Sequence, residues 1–202
     1  MGLLSSTVSI TRYSVEGKLE KPVLETIAKC LKKNVIRDDD ASDRIVGWTS
    51  FDRPFNPDFE GSSFLIGTYF VFSLRIDKKT VPRSLIKKEC ALETVRRLAA
   101  TGRKYLSRDE KKMVKEHVTS ALTLRIPATP NVHDLIWNHE ESFLWFFSTL
   151  KSANEELETL FFRSFQLPVI RLFPYTTADL VMGLSGAQRD ILLKLSATVF
   201  AE

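Results

Sequence analysis

Residues 81–124, VPRSLIKKECALETVRRLAATGRKYLSRDEKKMVKEHVTSALTL, carry two helical patterns in direct succession, and the rest of the chain is arranged around them. Pro82 suits a first helical turn, where a missing N–H has no intrahelical partner to lose. Beyond it, at about 100° per residue, Leu85, Leu92, Val95 and Ala99 share one face. Arg83, Lys87, Arg97 and Lys104 gather within about a third of the opposite circumference. Gly102 weakens the pattern near its end. Ser107-Arg108-Asp109-Glu110 is a capping box and starts the second helix. There Met113, Val114, His117, Ala121 and Leu124 form the apolar face, and Arg108, Lys111, Lys112 and Lys115 lie opposite. The first helix spans ~30 Å from Arg83 to Lys104 at about 1.5 Å per residue.

Working outward, both flanks read as mixed strand and helix. On the N-terminal side, Ser5 to Tyr13 is a strand pattern, and Pro22 opens a helix whose Val23, Leu24, Ile27, Ala28 and Leu31 are spaced at three and four. Arg44 to Phe51 is a second strand, and residues 52–62 form a loop. Ser63 to Ile76 is aromatic and β-branched, either one extended strand or two broken at Gly67. On the C-terminal side, Val132 to Asn138 and Ser142 to Ser148 are strands joined by a turn at His139-Glu140-Glu141. A capping box at Ser152-Ala153-Asn154-Glu155 opens a helix with Leu157, Leu160, Phe161 and Phe165 apolar, and Val169 to Phe173 is the last strand. One or two short helices around Gly183 and Gly186 complete the chain. The expectation is an α+β fold: a βαββ block over residues 1–76, a basic helical pair over 77–127, a ββαβ block over 128–174 and a helical tail over 175–202.

With 202 residues, 44% hydrophobic and 27% charged, the chain can bury a core without disulfides or metal. Two cysteines, Cys30 and Cys90, are too few for a disulfide scaffold, and no signal peptide or membrane span is read, so a cytoplasmic location is expected. The net charge of +4 is unevenly placed. Between Arg75 and Arg125 stand 15 Lys and Arg against 6 acids, a net +9, which leaves −5 for the remainder. A mildly acidic body with one strongly basic segment suits a polyanionic partner, although long helices also use Lys and Arg simply to be solvated.

The run Thr80-Val81-Pro82-Arg83-Ser84-Leu85-Ile86-Lys87-Lys88 and the charged helices down to Leu122 come in an order that resembles the bacterial recombination-associated RdgC family. The strand carrying Trp137, the helix from Ser152 to Phe165, the segment Leu167-Pro168-Val169-Ile170 and the Gly47-Trp48 element fit the same order. The resemblance covers Leu3 to Pro174. It implies a ring-forming homodimer, nucleoid-associated, that binds double-stranded DNA without sequence preference and restrains recombinase loading or strand exchange. Typical members continue for a further third of their length after the last matched strand, whereas here only Tyr175 to Glu202 remain, so ring closure is the expectation most affected.

Nonspecific duplex binding needs spaced cations, because neutralised phosphates release condensed counterions. Arg83, Lys87, Lys88, Arg97, Lys104, Arg108, Lys111, Lys112 and Lys115 are the candidate contacts. No helix-turn-helix, zinc-finger or RNA-recognition signature accompanies them, so no base-specific readout is expected. No catalytic residue, cofactor or metal site is expected either. The alternatives are a magnesium-dependent exonuclease centred on Glu60 with Asp77-Lys78-Lys79, and an adaptor whose basic helices meet an acidic protein. Asp38-Asp39-Asp40 reads as a solvated turn, His117 as a core residue, and His133 and His139 flank Trp137. Phe143-Leu144-Trp145-Phe146-Phe147 and Phe161-Phe162 read as core first and as a dimer interface second.

Overall fold

A computed structural model describes residues 2–37 and 42–196, so the acidic triplet Asp38-Asp39-Asp40 lies outside the described residues. The elements, in chain order, are β1 (Thr11–Val15), α1 (Val23–Lys33), β2 (Arg44–Thr49), β3 (Leu65–Ile66), β4 (Tyr69–Lys78), α2 (Arg83–Thr101), α3 (Arg108–Thr123), β5 (Thr129–Asn138), β6 (Phe143–Phe146), α4 (Lys151–Phe165), β7 (Val169–Leu172), α5 (Pro174–Val181) and α6 (Gly186–Lys194). All seven strands form one antiparallel sheet in the order β2-β4-β5-β6-β1-β7, with β3 paired to β4, so the fold is α+β as expected. Strands from both halves of the sequence share the sheet. The first strand leaves its own half and inserts between β6 and β7.

That insertion dictates what the helices do. Strands β6 and β7 flank β1, are both antiparallel to it and therefore run parallel to each other, and consecutive parallel strands need a crossover, which α4 supplies. Helix α1 likewise carries the chain across the sheet from β1 to β2. The two helices pack side by side on one face, burying Ile27 and Leu31 from α1 and Ala153, Leu157, Leu160, Phe161 and Phe165 from α4. Facing them are Phe70, Phe72 and Leu74 of β4, Leu135 and Trp137 of β5, and Leu144 and Phe146 of β6. Trp137 meets Phe161 and Phe165 at ring-centroid distances of 5.0 Å each, and Trp48 meets Phe72 edge-on at 5.1 Å. The indole N–H of Trp48 donates to Ser164 Oγ at 2.8 Å.

The opposite face is half covered. Strand β4 is buried on both sides, and its second face carries the polar row Ser73, Arg75 and Asp77. Ser73 Oγ donates to Asp134 Oδ1 at 2.7 Å, whose other oxygen accepts from the backbone N–H of Leu3 at 2.7 Å. The loop after β2 closes over Arg75, with the Phe55 ring 5.2 Å from its guanidinium carbon.

Three local expectations need correction. The first strand begins at Thr11 rather than Ser5: its pairing with β6 starts at Thr11 opposite Phe146, and residues 2–5 form a turn in which Ser5 N–H donates to Gly2 O. Helix α4 starts at Lys151 with Leu150 as its N-cap, so the Ser152 capping box does not form. Asn154 instead donates through Nδ2 to Ser148 O and Leu150 O, tying the first turn to the end of the preceding strand. The aromatic runs are core at Leu144, Phe146, Phe147 and Phe161, whereas Trp145 and Phe162 point outward.

Gly47 in β2 carries a specific constraint. A Cβ built there would lie 2.5 Å from Ile36 Cα and 2.6 Å from Ile36 N, because the segment after α1 bridges β2 through Val35 and Trp48. Both neighbours are backbone atoms and cannot swing away. Gly47→Ala should therefore lower stability by about 3 kcal/mol, the upper range for overpacking a tight contact, read as a reduced urea midpoint with an unchanged m-value. A midpoint equal to the wild type would show that the bridge can shift.

Candidate nucleic-acid interface

The long strands β4 and β5 pair along their whole length, from Phe70 opposite Trp137 to Lys78 opposite Thr129. Residues 79–128 are therefore an excursion from the end of a β-hairpin, made of α2 and α3, which pack on each other. Helix α2, 19 residues long, extends ~28 Å at about 1.5 Å per residue. Its C-cap Gly102 has φ 65°, the left-handed conformation that a side chain disfavours and that lets the chain reverse into α3. The capping box read from the sequence is present: Ser107 Oγ accepts from Glu110 N–H at 3.2 Å, and Glu110 accepts from Ser107 N–H at 2.8 Å. That backbone bond, with Arg103 beside it, holds the Glu110 carboxyl below its usual range.

The contact between the helices is small: Leu106, Val114 and Val118 are buried, with Cys90, Leu98 and Leu122 packed against them. Here the structure overturns the expected orientation of α2. Its buried side is the line of Cys90 and Leu98, and the predicted apolar face is turned outward, with Leu92 52% and Val95 66% exposed. At about 100° per residue, Arg83, Lys87 and Arg97 fall on the side of Cys90, and Lys88 emerges among the outward apolar residues. Arg97 is engaged by Glu93, Nε to Oε1 at 3.0 Å, and this bond lowers the Glu93 pKa. On α3, Val114 is buried as expected, but Met113, His117 and Leu124 are exposed, so His117 is no core residue. The reason is common to both helices. Two helices standing off the sheet have one mutual contact, and whatever lies outside it is uncovered.

The basic residues of α3 are gathered as expected. Arg108, Lys111, Lys112 and Lys115 are all exposed and fall within an arc of about 100° on one flank. Among the described residues the one ion pair that any of them makes is Lys112 with Glu116, 3.9 Å apart. Along α3 they cover ~10 Å, comparable with about three phosphates of one strand at ~3.4 Å of axis each. Arg83, Lys87 and Lys88 are exposed towards the root of α2, and Lys104 is exposed at the tip beside Tyr105. The nine candidates therefore divide into a coherent flank of four on α3, four exposed cations on other sides of the arm, and one already paired.

The residues considered for metal-dependent hydrolysis have separate partners. Asp77 is buried with both oxygens bound by Arg75, and Glu60 is exposed and paired with Lys32 at 2.6 Å. No group of three His, Cys, Asp or Glu among the described residues is placed to hold a metal ion. His139 Nε2 accepts from Leu19 N–H at 2.9 Å, and His133 lies against the Phe146 ring. Burial raises the Cys30 thiol pKa. No described helix is long and apolar enough to cross a membrane.

The family model described as "Putative exonuclease, RdgC" matches residues 9–183, which include the whole sheet and the helical arm. No curated protein matches the chain.

Proposed function

The chain belongs to the RdgC family, and from that premise we propose that it binds double-stranded DNA without sequence preference, in a recombination-related role, through the helical arm. The observation that carries the reading is the exposed flank of Arg108, Lys111, Lys112 and Lys115 on α3, free of short ion pairs among the described residues. Charges so placed meet phosphates, which supply sequence-independent affinity. The test is binding of unrelated duplexes across a salt titration. Similar affinities and a steep log–log slope support the reading; affinity independent of salt excludes it. An acidic protein partner lacks the condensed counterions of a duplex, so an adaptor's complex with it should show a much shallower salt slope than a DNA complex.

The family reading also includes a homodimer, and the uncovered side of the arm supports it. Leu92, Val95, Tyr105, Met113 and Leu124 are each more than half exposed there, an arrangement that a second copy of the chain can cover. Val95→Asp combined with Leu92→Asp should move the protein to a monomer in sedimentation without altering its circular dichroism. A wild type that is monomeric at tens of micromolar rules this interface out.

A further inference from the structure

We infer that a cavity at the root of the arm, lined by Arg44, Lys78, Asn131 and His133, is a phosphate site that extends the duplex contact from α3 onto the sheet. The inference rests on the DNA-binding reading and adds a site away from the arm's helices. The cavity measures about 200 Å³, and Ile76, Leu150, Ser152 and Ala153 complete its lining. A wider depression of about 400 Å³ shares Asn131, His133 and Leu150 with it. At ~30 Å³ per water the smaller cavity admits an oxyanion together with part of its hydration.

The sheet register puts like charges together. Arg44 of β2 is directly opposite Lys78 of β4, and like charges facing each other across an antiparallel pair are destabilising. Glu156 answers one of them, its Oε1 lying 2.8 Å from Arg44. Lys78 is exposed and has no carboxylate partner among the described residues. On the next strand, Asn131 pairs with Ile76 and His133 with Leu74. The alternation along β4 therefore brings Lys78, Asn131 and His133 to the same face. His133 is half-buried, and this desolvation lowers its pKa and favours the neutral imidazole, a group able to donate one N–H. The first turn of α4 closes the rim, and its N-cap, Leu150, offers no side-chain acceptor to the leading N–H groups. Asn131 Nδ2 already donates to Thr129 O and Ile76 O, so an anion placed here would relieve the Arg44–Lys78 repulsion and accept from Arg44, Lys78 and His133, one from each of three strands.

Position selects a backbone phosphate of nucleic acid as the source. Lys78 and its partner Thr129 are the last paired residues before the chain leaves the sheet for the arm, and Arg83 comes five residues after Lys78. A duplex lying on the arm would pass this point, and the cavity would take one phosphate.

Lys78→Gln removes the unpaired charge at an exposed position and should leave the fold intact, as checked by circular dichroism. Loss of one phosphate contact lowers the magnitude of the salt slope by about 0.9 and weakens binding at 0.1 M salt by about 8-fold. Lys78→Arg should restore both. In a separate titration of the wild type with inorganic phosphate, the His133 ring resonances should shift saturably, and less so in Lys78→Gln. If Lys78→Gln keeps the wild-type slope while neutralising Lys111, Lys112 and Lys115 lowers it, the arm binds DNA and the cavity does not. If the wild type binds no duplex, the DNA reading falls and this assignment with it. Saturable inorganic phosphate binding in that case would mark a free-phosphate site.

Discussion

Reversing Lys111, Lys112 and Lys115 to glutamate together should abolish measurable duplex binding at physiological salt. Each phosphate contact multiplies the observed affinity by about 8 between 1 M and 0.1 M salt, since the logarithm changes by about 0.9 per contact. Three lost contacts are then worth about 500-fold at 0.1 M, and three glutamates facing phosphates add repulsion to that. The neutral variant, with glutamine at all three positions, isolates the contacts themselves and should lower the magnitude of the salt slope by about 2.7. All three side chains are exposed, none contributes to the small core between the helices, and the capping box at Ser107 lies outside the change. The melting temperature should therefore stay near the wild-type value. Unaltered affinity in the glutamate variant removes α3 from the interface.

The contrast between α3 and α2 shows what the sequence could convey. On α3 the apolar and basic residues alternate at helical spacing, and the basic flank read from the sequence is the one observed, because lysines stay outside whatever the helix packs against. On α2 the apolar stripe of Leu92, Val95 and Ala99 was legible as a surface requiring cover, but the pattern does not say what covers it. The neighbouring helix takes the line through Cys90 and Leu98, leaving the stronger stripe outward. A moment along one helix describes that helix alone; which side meets a given partner depends on the reach of the connection, here the tight reversal at Gly102. Element order was legible for a related reason. Strand and helix periodicities are local, whereas the placing of β1 between β6 and β7 is a pairing of residues more than a hundred positions apart.

The same distinction explains why the cavity at Arg44, Lys78 and His133 had no signal in the sequence. Its members come from β2, β4 and β5, and only the register makes them neighbours. Glu60 and Asp77 are the converse case. As letters they suggested a hydrolytic pair, but in the fold each carboxylate has a cation of its own.

The largest expected loss of stability comes from breaking that buried ion pair. Arg75 and Asp77 lie two residues apart on one face of β4, both under 9% exposed, with Arg75 Nε donating to Asp77 Oδ1 at 2.8 Å. The guanidinium also donates to Pro54 O and sits by the Phe55 ring, so it fastens the loop after β2 to the sheet. Arg75→Met leaves a carboxylate buried without its counter-charge and should cost about 3–5 kcal/mol. Asp77→Leu takes a carboxylate from the guanidinium, which keeps its bond to Pro54 O, and should also destabilise the fold, by less than Arg75→Met. Combining Arg75→Met with Asp77→Leu removes both of these charges from the buried face, and the double variant should be more stable than Arg75→Met alone, since desolvating an ion pair offsets much of its attraction. Full recovery is not expected, because the Pro54 and Phe55 contacts are lost with the arginine. Chemical denaturation of the four proteins closes the cycle, and strictly additive losses would show that the two groups do not depend on each other. The cycle also separates structure from chemistry at this position. A fall in any DNA-degrading activity on changing Asp77 counts as catalytic only if Glu60→Gln, at an exposed residue whose partner is Lys32, lowers that activity with the melting temperature unchanged.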